Sequence, residues 1–305
     1  MTPSYHHNSF YKEVKNSPLC PSDWETRFAH FAEYQMLALE TLCEVHRVCE
    51  KNSIPYQVTY GSLIGAIRHN GQIPWDYDTD VFVPFSEKDR LIEALKQDLH
   101  SDYYMECPEV DEHCSQSFLR VSAKGYDSDM LHVDVFYYCG APDGKKERAI
   151  FQKNMVAAYH IRLDKERNCL RDCYGRLPRL CRLLARKLLQ LPRSTAEGDQ
   201  LYHALATKYP IETSRIVVTA DAFADWYEIP REYLTETRLM DVDYGTIRVP
   251  VQADALLKLM YGDYMKVPPL EERLKEFMFH TDMFTRWERM NQKERAGDGS
   301  PRGRQ

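Results

Sequence analysis

The sequence has no uninterrupted hydrophobic run that could cross a membrane, although it is 305 residues long. A spanning helix needs roughly 18 or more predominantly apolar residues in a row. The first residues, MTPSYHHNSFYKEV, also lack the apolar segment of a secretory signal. We therefore expect a cytoplasmic protein with no transmembrane helix and no export signal.

The sequence also has no excess of basic over acidic residues. Lys and Arg total 40 and Asp and Glu total 46, which gives a formal net charge of −6. Domains that bind nucleic acid through its phosphates are usually basic, so we expect no nucleic-acid partner. The chain is nevertheless 43% apolar, which is too high for a disordered protein. The nine cysteines include no CxxC pair, and without an export signal we expect reduced thiols.

The hydrophobic pattern predicts helices and strands that alternate early in the chain, with helices dominating later. Apolar residues recur at helical spacing from Trp24 to Glu50. Short β-rich segments follow near residues 56–59, 81–84, 103–106, 118–123 and 131–138. This order predicts an α+β (α/β) fold with one small mixed sheet and extra helices toward both ends. We expect a flexible arm over residues 1–21, a single domain over 22–290 and a disordered tail over 291–305.

Three aspartates at alternate positions, Asp76, Asp78 and Asp80, are the sharpest feature of the sequence. In a strand, residues two positions apart point to the same face, so the three carboxylates would be crowded together. Burying such a group without a counter-charge is costly, and a hard divalent cation with oxygen ligands is a common solution. Because the apolar segment Val81–Val83 follows directly, we place the cluster at a strand end.

Three interpretations of this cluster are open from these residues alone. It could be a calcium loop with Glu87 as its last ligand, but the position that needs glycine for a sharp turn is Val81. It could be a solvated acidic turn that holds no metal. It could also be a catalytic metal pair of the kind that binds the phosphates of a nucleotide.

The residues before the cluster favour the catalytic interpretation. Gly61 and Ser62 end one predicted strand and open a helical turn, where backbone N–H groups can hold a phosphate. This order, with Asp78-x-Asp80 on the next strand, resembles the nucleotidyltransferase fold of the polymerase-β type. That fold needs a third carboxylate on a neighbouring strand, and Asp134 stands alone among apolar residues. We therefore expect Asp80 and Asp134 on one face of a sheet, with carboxylates about 4–6 Å apart.

The segment GSLIGAIRHNGQIPWDYDTDVFVP, residues 61–84, closely resembles the signature of the LicD and fukutin-related family. Three further segments resemble elements of that family: LHVD at 131–134, YGTIRVP at 244–250, and YGDY at 261–264 with two prolines soon after. Together the matches extend over about residues 35–285.

The resemblance implies a polymerase-β-like nucleotidyltransferase core and transfer of a phospho-alcohol from a CDP-linked donor to a sugar hydroxyl, with release of CMP. CDP-choline and CDP-ribitol are known donors in the family, and its acceptors are often lipid-linked or cell-surface glycans. The resemblance also implies that Asp78, Asp80 and Asp134 hold Mg²⁺ or Mn²⁺ for catalysis. Unlike the fukutin-related protein, the chain has no matching cysteine cluster, so we expect no structural zinc.

The same resemblance carries donor-phosphate contacts over to Gly61, Ser62 and Arg68. Trp75 and Asp76 match the motif as well, and they are candidates for donor binding with a less defined role.

The chemistry of individual residues adds further expectations. Arg120 is a candidate phosphate clamp, because a guanidinium can bind phosphate in a bidentate manner. We expect His69 to form a structural hydrogen bond rather than to act as an acid or base. We expect Tyr261 and Asp263 to fix a loop by packing.

Two other functions are alternatives. A nucleotidyltransferase that moves a nucleoside monophosphate onto a small molecule would use the same aspartates and would release diphosphate. A relative that only binds a nucleotide or glycan would not need them, so the intact set of aspartates argues against it.

A basic segment at residues 171–193, RDCYGRLPRLCRLLARKLLQLPR, has arginines on one helical face and leucines on another. Such a helix could lie in the interface of an anionic membrane. It could also pack on the protein core with its arginines in solvent. The first interpretation predicts peripheral contact with the inner face of a membrane.

Overall fold

A long helix, α2, precedes the sheet and matches the strongest helical pattern in the sequence. The computed structural model describes residues 8–111, 114, 118–163, 195–220 and 226–295. Helix α2 spans Trp24–Lys51, and its stripe of buried apolar residues lies against strands of the sheet. The helix predicted from Trp24 to Glu50 is confirmed.

Seven strands of the described chain form one mixed sheet. They are β1 (Gln57–Val58), β2 (Thr79–Pro84), β3 (Tyr103–Glu106), β4 (Leu119–Ala123), β5 (Val133–Gly140), β6 (Ile216–Thr219) and β7 (Glu228–Pro230). Their order is β1–β2–β5–β4–β3, with β6 paired to β5 and β7 paired to β6. The β2–β5 pair is parallel, and the other pairs are antiparallel. The prediction of an α+β fold with a mixed sheet is confirmed.

Helices, turns and one separate hairpin complete the described structure. They are α3 (Tyr60–Ile64), a π-helical turn (Gly65–His69), a 3₁₀ turn (Phe85–Glu87), α4 (Lys88–Asp98), α5 (Lys145–Leu163), α6 (Thr195–Ala206), a 3₁₀ turn (Ile211–Thr213), α7 (Glu232–Thr235), the antiparallel strands β8 (Thr237–Val242) and β9 (Gly245–Pro250), α8 (Ala253–Tyr261) and α9 (Leu270–Arg295). Helix α9 returns to α2, where the ring of Phe284 stacks on Tyr34 with centroids 3.9 Å apart. The C-terminal helix is thereby brought close to the start of β2.

Strands β2 and β5 form the centre of the core. Val81 and Val83 on β2 and Val133 and Val135 on β5 are fully buried. A parallel pair of strands is normally covered on both faces, which fits the near-continuous apolar character of these two segments. A polar residue in either strand is therefore in a low-dielectric environment.

The flexible arm predicted over residues 1–21 is wrong for part of its length. Residues Ser9–Lys15 form helix α1, and the Asn8 side chain caps its first turn. Phe10 of this helix is buried, with its ring 5.5 Å from Trp75 and 5.8 Å from Phe277. The arm has few apolar residues, but Phe10 packs against residues that are distant in sequence.

The disordered tail predicted over residues 291–305 also begins too early, because α9 continues to Arg295. The basic segment at 171–193 lies outside the described residues. Within the described part of the chain, no helix is both long and apolar enough to cross a membrane.

Candidate active site

Amide side chains hold the acidic segment in place before it enters the sheet. Gln35 of α2 donates from Nε2 to the backbone oxygens of Ile73 at 3.1 Å and Asp76 at 2.6 Å. Gln72 donates from Nε2 to the backbone oxygen of Asp78 at 2.6 Å. The loop that carries the first two aspartates is therefore fixed to α2 by its own main chain.

Of the three aspartates, only Asp80 lies within a strand, because β2 begins at Thr79. Asp76 and Asp78 lie in the loop just before it. The cluster is at a strand end, as predicted, but the shared strand face does not extend to the two loop residues. Asp76 and Asp78 nevertheless lie close to each other, and the charges of Asp78 and Asp80 both raise the pKa of Asp76.

A row of charged residues crosses four strands of the sheet. Asp80 on β2 is opposite Asp134 on β5, Asp134 is opposite Arg120 on β4, and Arg120 is opposite Glu106 on β3. Side chains at directly opposite positions on adjacent strands point to the same face. The prediction that Asp134 lies beside Asp80 on one face of the sheet is confirmed.

Arg120 provides the positive charge of this row. It is buried, and it donates from Nε to Oδ1 of Asp134 at 2.7 Å and from Nη1 to Oδ1 of Asp129 at 2.7 Å. Nε2 of His132 lies 3.5 Å from the same oxygen of Asp134. In this structure the guanidinium predicted to clamp a phosphate serves as the counter-ion of two carboxylates. Its contact with a donor phosphate stays a prediction.

Gly61 and Ser62 lie directly against the aspartates. The buried Oγ of Ser62 accepts a 2.9 Å hydrogen bond from the backbone N–H of Asp80. A Cβ added to Gly61 would lie 3.0 Å from Oδ2 of Asp76, closer than side chains normally tolerate. The turn predicted to accompany the acidic cluster is therefore in contact with it, and its contact with donor phosphate stays a prediction.

Arg68 and Trp75 pack against each other at the side of the cluster. The guanidinium carbons of Arg68 and Arg273 lie 5.8 and 5.1 Å from the Trp75 ring. Nη1 of Arg68 donates to the backbone oxygen of Tyr264 at 2.7 Å, and Glu13 of α1 accepts from both Nη atoms of Arg273 at 2.8 Å. Trp75 is buried by these contacts, so packing accounts for its position.

His69 forms a structural hydrogen bond, as expected. Its Nε2 accepts a 2.9 Å hydrogen bond from Nε of Arg68. Burial, together with the charges of Arg68 and Arg273, lowers the pKa of His69 to about 4. The imidazole is therefore neutral near pH 7 and orients Arg68.

Ionising Asp76 and Asp80 is unfavourable in this environment. Burial, reinforced by the carboxylate of Asp78, raises the pKa of Asp80 well above its usual value, and Arg120 opposes this effect. Burial also raises the pKa of Asp76 well above its usual value, and every charged group that contributes further, Asp78, Glu276 and Asp80, is an acid. A cation bound among these carboxylates would remove much of that cost.

Two residues of α9 that were not predicted from the sequence approach the acidic loop. Glu276 and His280 are one helical turn apart and so share a face of the helix. Their ligand atoms and that of Asp76 all lie within 4.8 Å of one another. The predicted three-aspartate set is not among the groups of described residues that meet this spacing. The Glu-x-x-x-His pair within a helical segment was the signal available in the sequence.

Known proteins share sequence similarity with the part of the chain that forms this site. The model of the family described as "LicD/FKTN/FKRP, nucleotidyltransferase domain" matches residues 53–164, which include the turn at Gly61, the aspartates and strand β5. The chain is 29% identical over 256 residues to the lipopolysaccharide cholinephosphotransferase LicD of Haemophilus influenzae. That alignment covers 79% of this chain and 93% of the relative.

Shorter similarities connect the chain to two uncharacterized rickettsial proteins. One, from Rickettsia typhi, is 28% identical over 101 residues, which are 33% of each protein. The other, from Rickettsia prowazekii, is 37% identical over 54 residues, or 18% of this chain and 20% of the relative. The acidic motif and strand β5 therefore lie in the segment that matches the nucleotidyltransferase domain of the LicD family, and the chain is similar to one relative over 93% of that relative's length.

Proposed function

We propose that this protein is a metal-dependent transferase that moves a phospho-alcohol from a CDP-linked donor to a hydroxyl of a cell-surface glycan or lipid-linked saccharide, with release of CMP. The observation that carries the proposal is the placement of Asp80 beside Asp134, in a chain similar to a lipopolysaccharide cholinephosphotransferase. Phosphocholine is therefore the transferred group that we favour, and lipopolysaccharide the acceptor. We further propose that strands β2 and β5 belong to a polymerase-β-like nucleotidyltransferase core.

The carboxylates beside Ser62 fit Mg²⁺ or Mn²⁺. Asp80 and Asp134 offer oxygen ligands from adjacent strands, and Asp78 is close enough to raise the pKa of Asp80. Oxygen ligands are what these hard cations prefer. We propose that Asp78, Asp80 and Asp134 hold the metal, which when bound would neutralise charge on the donor diphosphate and on the departing CMP.

The residues around the aspartates would position the two substrates. The turn at Gly61 brings the main chain against Asp76, so the backbone N–H groups of this turn lie beside the acidic cluster and could bind a donor phosphate. Arg68 and His69 follow in the next helical turn, where the neutral imidazole of His69 orients the guanidinium of Arg68. These groups would bind the donor rather than form covalent bonds with it, as is typical of phosphoryl transfer.

In the proposed reaction, the acceptor hydroxyl attacks the phosphorus that carries the alcohol. A new phosphorus–oxygen bond forms, the bond from that phosphorus to CMP breaks, and the hydroxyl proton passes to a base. Asp134 is our candidate for this base, because its carboxylate lies beside Asp80 at the proposed metal site.

The test combines donor binding with product analysis. The purified full chain is screened by thermal shift against CDP-choline, CDP-ribitol, CDP-glycerol and other nucleotide sugars, each with and without Mg²⁺. The donor that stabilises the protein is then incubated with lipopolysaccharide, and the released nucleotide is identified. We expect stabilisation by a CDP-alcohol that depends on Mg²⁺, and release of CMP.

The Asp80→Asn variant is the matched control for this assay. It should lose metal-dependent donor binding and turnover while remaining folded. Release of diphosphate instead of CMP would favour nucleotidyl transfer to a small molecule. Binding without turnover on any glycan would favour a binding protein, and either result would overturn the proposal.

A further inference from the structure

A second group of side chains of the types that ligate metals lies between the acidic loop and α9. It consists of Asp76, Glu276 and His280, whose ligand atoms all lie within 4.8 Å of one another. Two ligands come from one face of a helix and the third from a separate loop. This arrangement holds three donors in place without requiring a continuous motif.

The local packing makes this group rigid. Tyr77, the residue after Asp76, is buried, and its ring lies edge-on to His280 at 5.0 Å and to Phe284 at 4.7 Å. Gln35 holds the backbone oxygen of Asp76 from the other side. The loop and the helix are therefore fixed to each other at the position where the three donors meet.

The imidazole of His280 has no hydrogen-bond partner in the described part of the protein. Both of its ring nitrogens are shielded from solvent, and neither makes a hydrogen bond there. Leaving a buried polar atom unsatisfied costs on the order of 1–3 kcal/mol. A ligand that accepts the lone pair of one ring nitrogen would remove part of this cost.

The two carboxylates of the group also lack a positive partner among the described residues. The charged groups that act on Asp76 are all acids, and the charge that acts on Glu276 is that of Asp78. Glu276 receives a side-chain hydrogen bond from Trp75 and lies at the solvent edge. An ion could therefore enter from solvent and keep water ligands on that side.

We propose that Asp76, Glu276 and His280 bind a divalent transition-metal ion, which Mn²⁺ represents, in preference to Mg²⁺. An imidazole nitrogen suits transition metals, whereas Mg²⁺ favours oxygen ligands alone. Donor atoms around one such ion, at bonds of about 2.1 Å, lie roughly 3–4 Å apart, so the observed group needs only a small contraction. The site does not depend on the transfer reaction proposed above.

The experiment measures Mn²⁺ binding to the chelator-treated full chain by electron paramagnetic resonance, with millimolar Mg²⁺ present to occupy all-oxygen sites. We expect the wild type to retain bound Mn²⁺ and to show nitrogen modulation from a coordinated imidazole. His280→Gln should weaken that binding at least about tenfold and abolish the nitrogen signal.

Variants at other positions separate this site from the one on the sheet. His100→Gln, at an exposed histidine, is the control and should keep the signal. Asp80→Asn should also keep it, whether or not it abolishes transfer. Glu276→Gln, at a partly exposed position, weakens Mn²⁺ binding even if His280→Gln fails to fold. Unchanged Mn²⁺ affinity in Glu276→Gln, or a wild type without the nitrogen signal, would overturn the proposal.

Discussion

The carboxylates on the sheet and those beside α9 differ in how their charge is balanced. On the sheet, Asp134 is paired with Arg120, and the same guanidinium lowers the cost of ionising Asp80. Beside α9, the charges that act on Asp76 and Glu276 are negative. The first group is partly neutralised by the fold, and the second is not.

Because of this difference, the loss of one charged residue should affect the stability of the fold differently in the two groups. A buried ion pair is strongly destabilising to break, because removing one partner leaves the other charge buried and alone. A cluster of like charges has the opposite property, since removing one member relieves repulsion. Substitutions in the two groups should therefore change stability in opposite directions.

The largest expected effect is on activity and concerns the sheet. Asp80→Ala and Asp134→Ala should each reduce CMP release at least about a thousandfold, because both are proposed to hold the same metal. The double variant should be little worse than either single one, since groups that act as a unit are not additive. Initial rates with the donor identified by thermal shift measure this. If the losses of activity in the two single variants multiply in the double variant, Asp80 and Asp134 do not act as one unit.

The next effect is on stability. Arg120→Gln should lower the free energy of unfolding of the metal-free protein by about 3–5 kcal/mol, because it leaves Asp134 buried without its partner. Urea unfolding in the presence of a chelator measures the change. Arg238→Gln, on the exposed face of β8, is the control and should be nearly neutral. If Arg120→Gln is also nearly neutral, the fold does not balance the charge of the sheet cluster through this arginine.

The lowered pKa of His69 predicts that the free energy of unfolding depends on pH. Its pKa falls to about 4 in the folded protein from a usual 6.5, so between these values the unfolded state binds more protons. Stability should therefore decrease as pH falls from 6.5 to 4, by at most about 3 kcal/mol from this residue and nearer 1–2 given its remaining solvent contact.

His69→Gln tests that contribution, because glutamine does not titrate and can still accept a hydrogen bond from Arg68. Urea unfolding of both proteins at pH 7 and pH 4.5 gives the difference between their acid losses. We expect the variant to lose less stability on acidification than the wild type. An identical loss of stability in both proteins would show that groups other than His69 cause the destabilisation at acidic pH.

The smallest effect is expected beside α9. Glu276→Gln should stabilise the metal-free protein by about 0.5–1 kcal/mol, because it removes one of several like charges at a partly exposed position. The same substitution at the exposed Glu236 is the control. Chelator-treated samples are compared by urea unfolding. A destabilised Glu276→Gln protein would remove the contrast between the two clusters.

The elements of the fold that the sequence predicted are those with long or distinctive local patterns. Helix α2 was predictable from its apolar period over Trp24–Lys51, and β5 from an apolar run interrupted by Asp134. Helix α1 was not, because seven residues are too short for a periodic signal, and its stability comes from contacts of Phe10 with Trp75 and Phe277.

In the candidate site, too, some contacts could be predicted from local sequence and others could not. The contacts of Gly61 with Asp76 and of Ser62 with Asp80 follow from a short motif, since fewer than twenty residues separate the partners. The approach of Glu276 to Asp76 joins segments about 200 residues apart in sequence. No local pattern specifies that approach, because it depends on the packing of α9 against α2 and on the burial of Tyr77 between them.

The sequence by itself determined which side chains could do chemistry here: a glycine–serine turn, three closely spaced aspartates and a fourth within an apolar strand. These features are local, and steric and periodic rules act over a few residues. Only the tertiary structure decided how those charges are balanced. Arg120 reaches Asp134 because β4 pairs with β5, and His280 reaches Asp76 because α9 packs back over the loop. Charge balance in a low-dielectric interior depends on neighbours in space, whatever their distance along the chain.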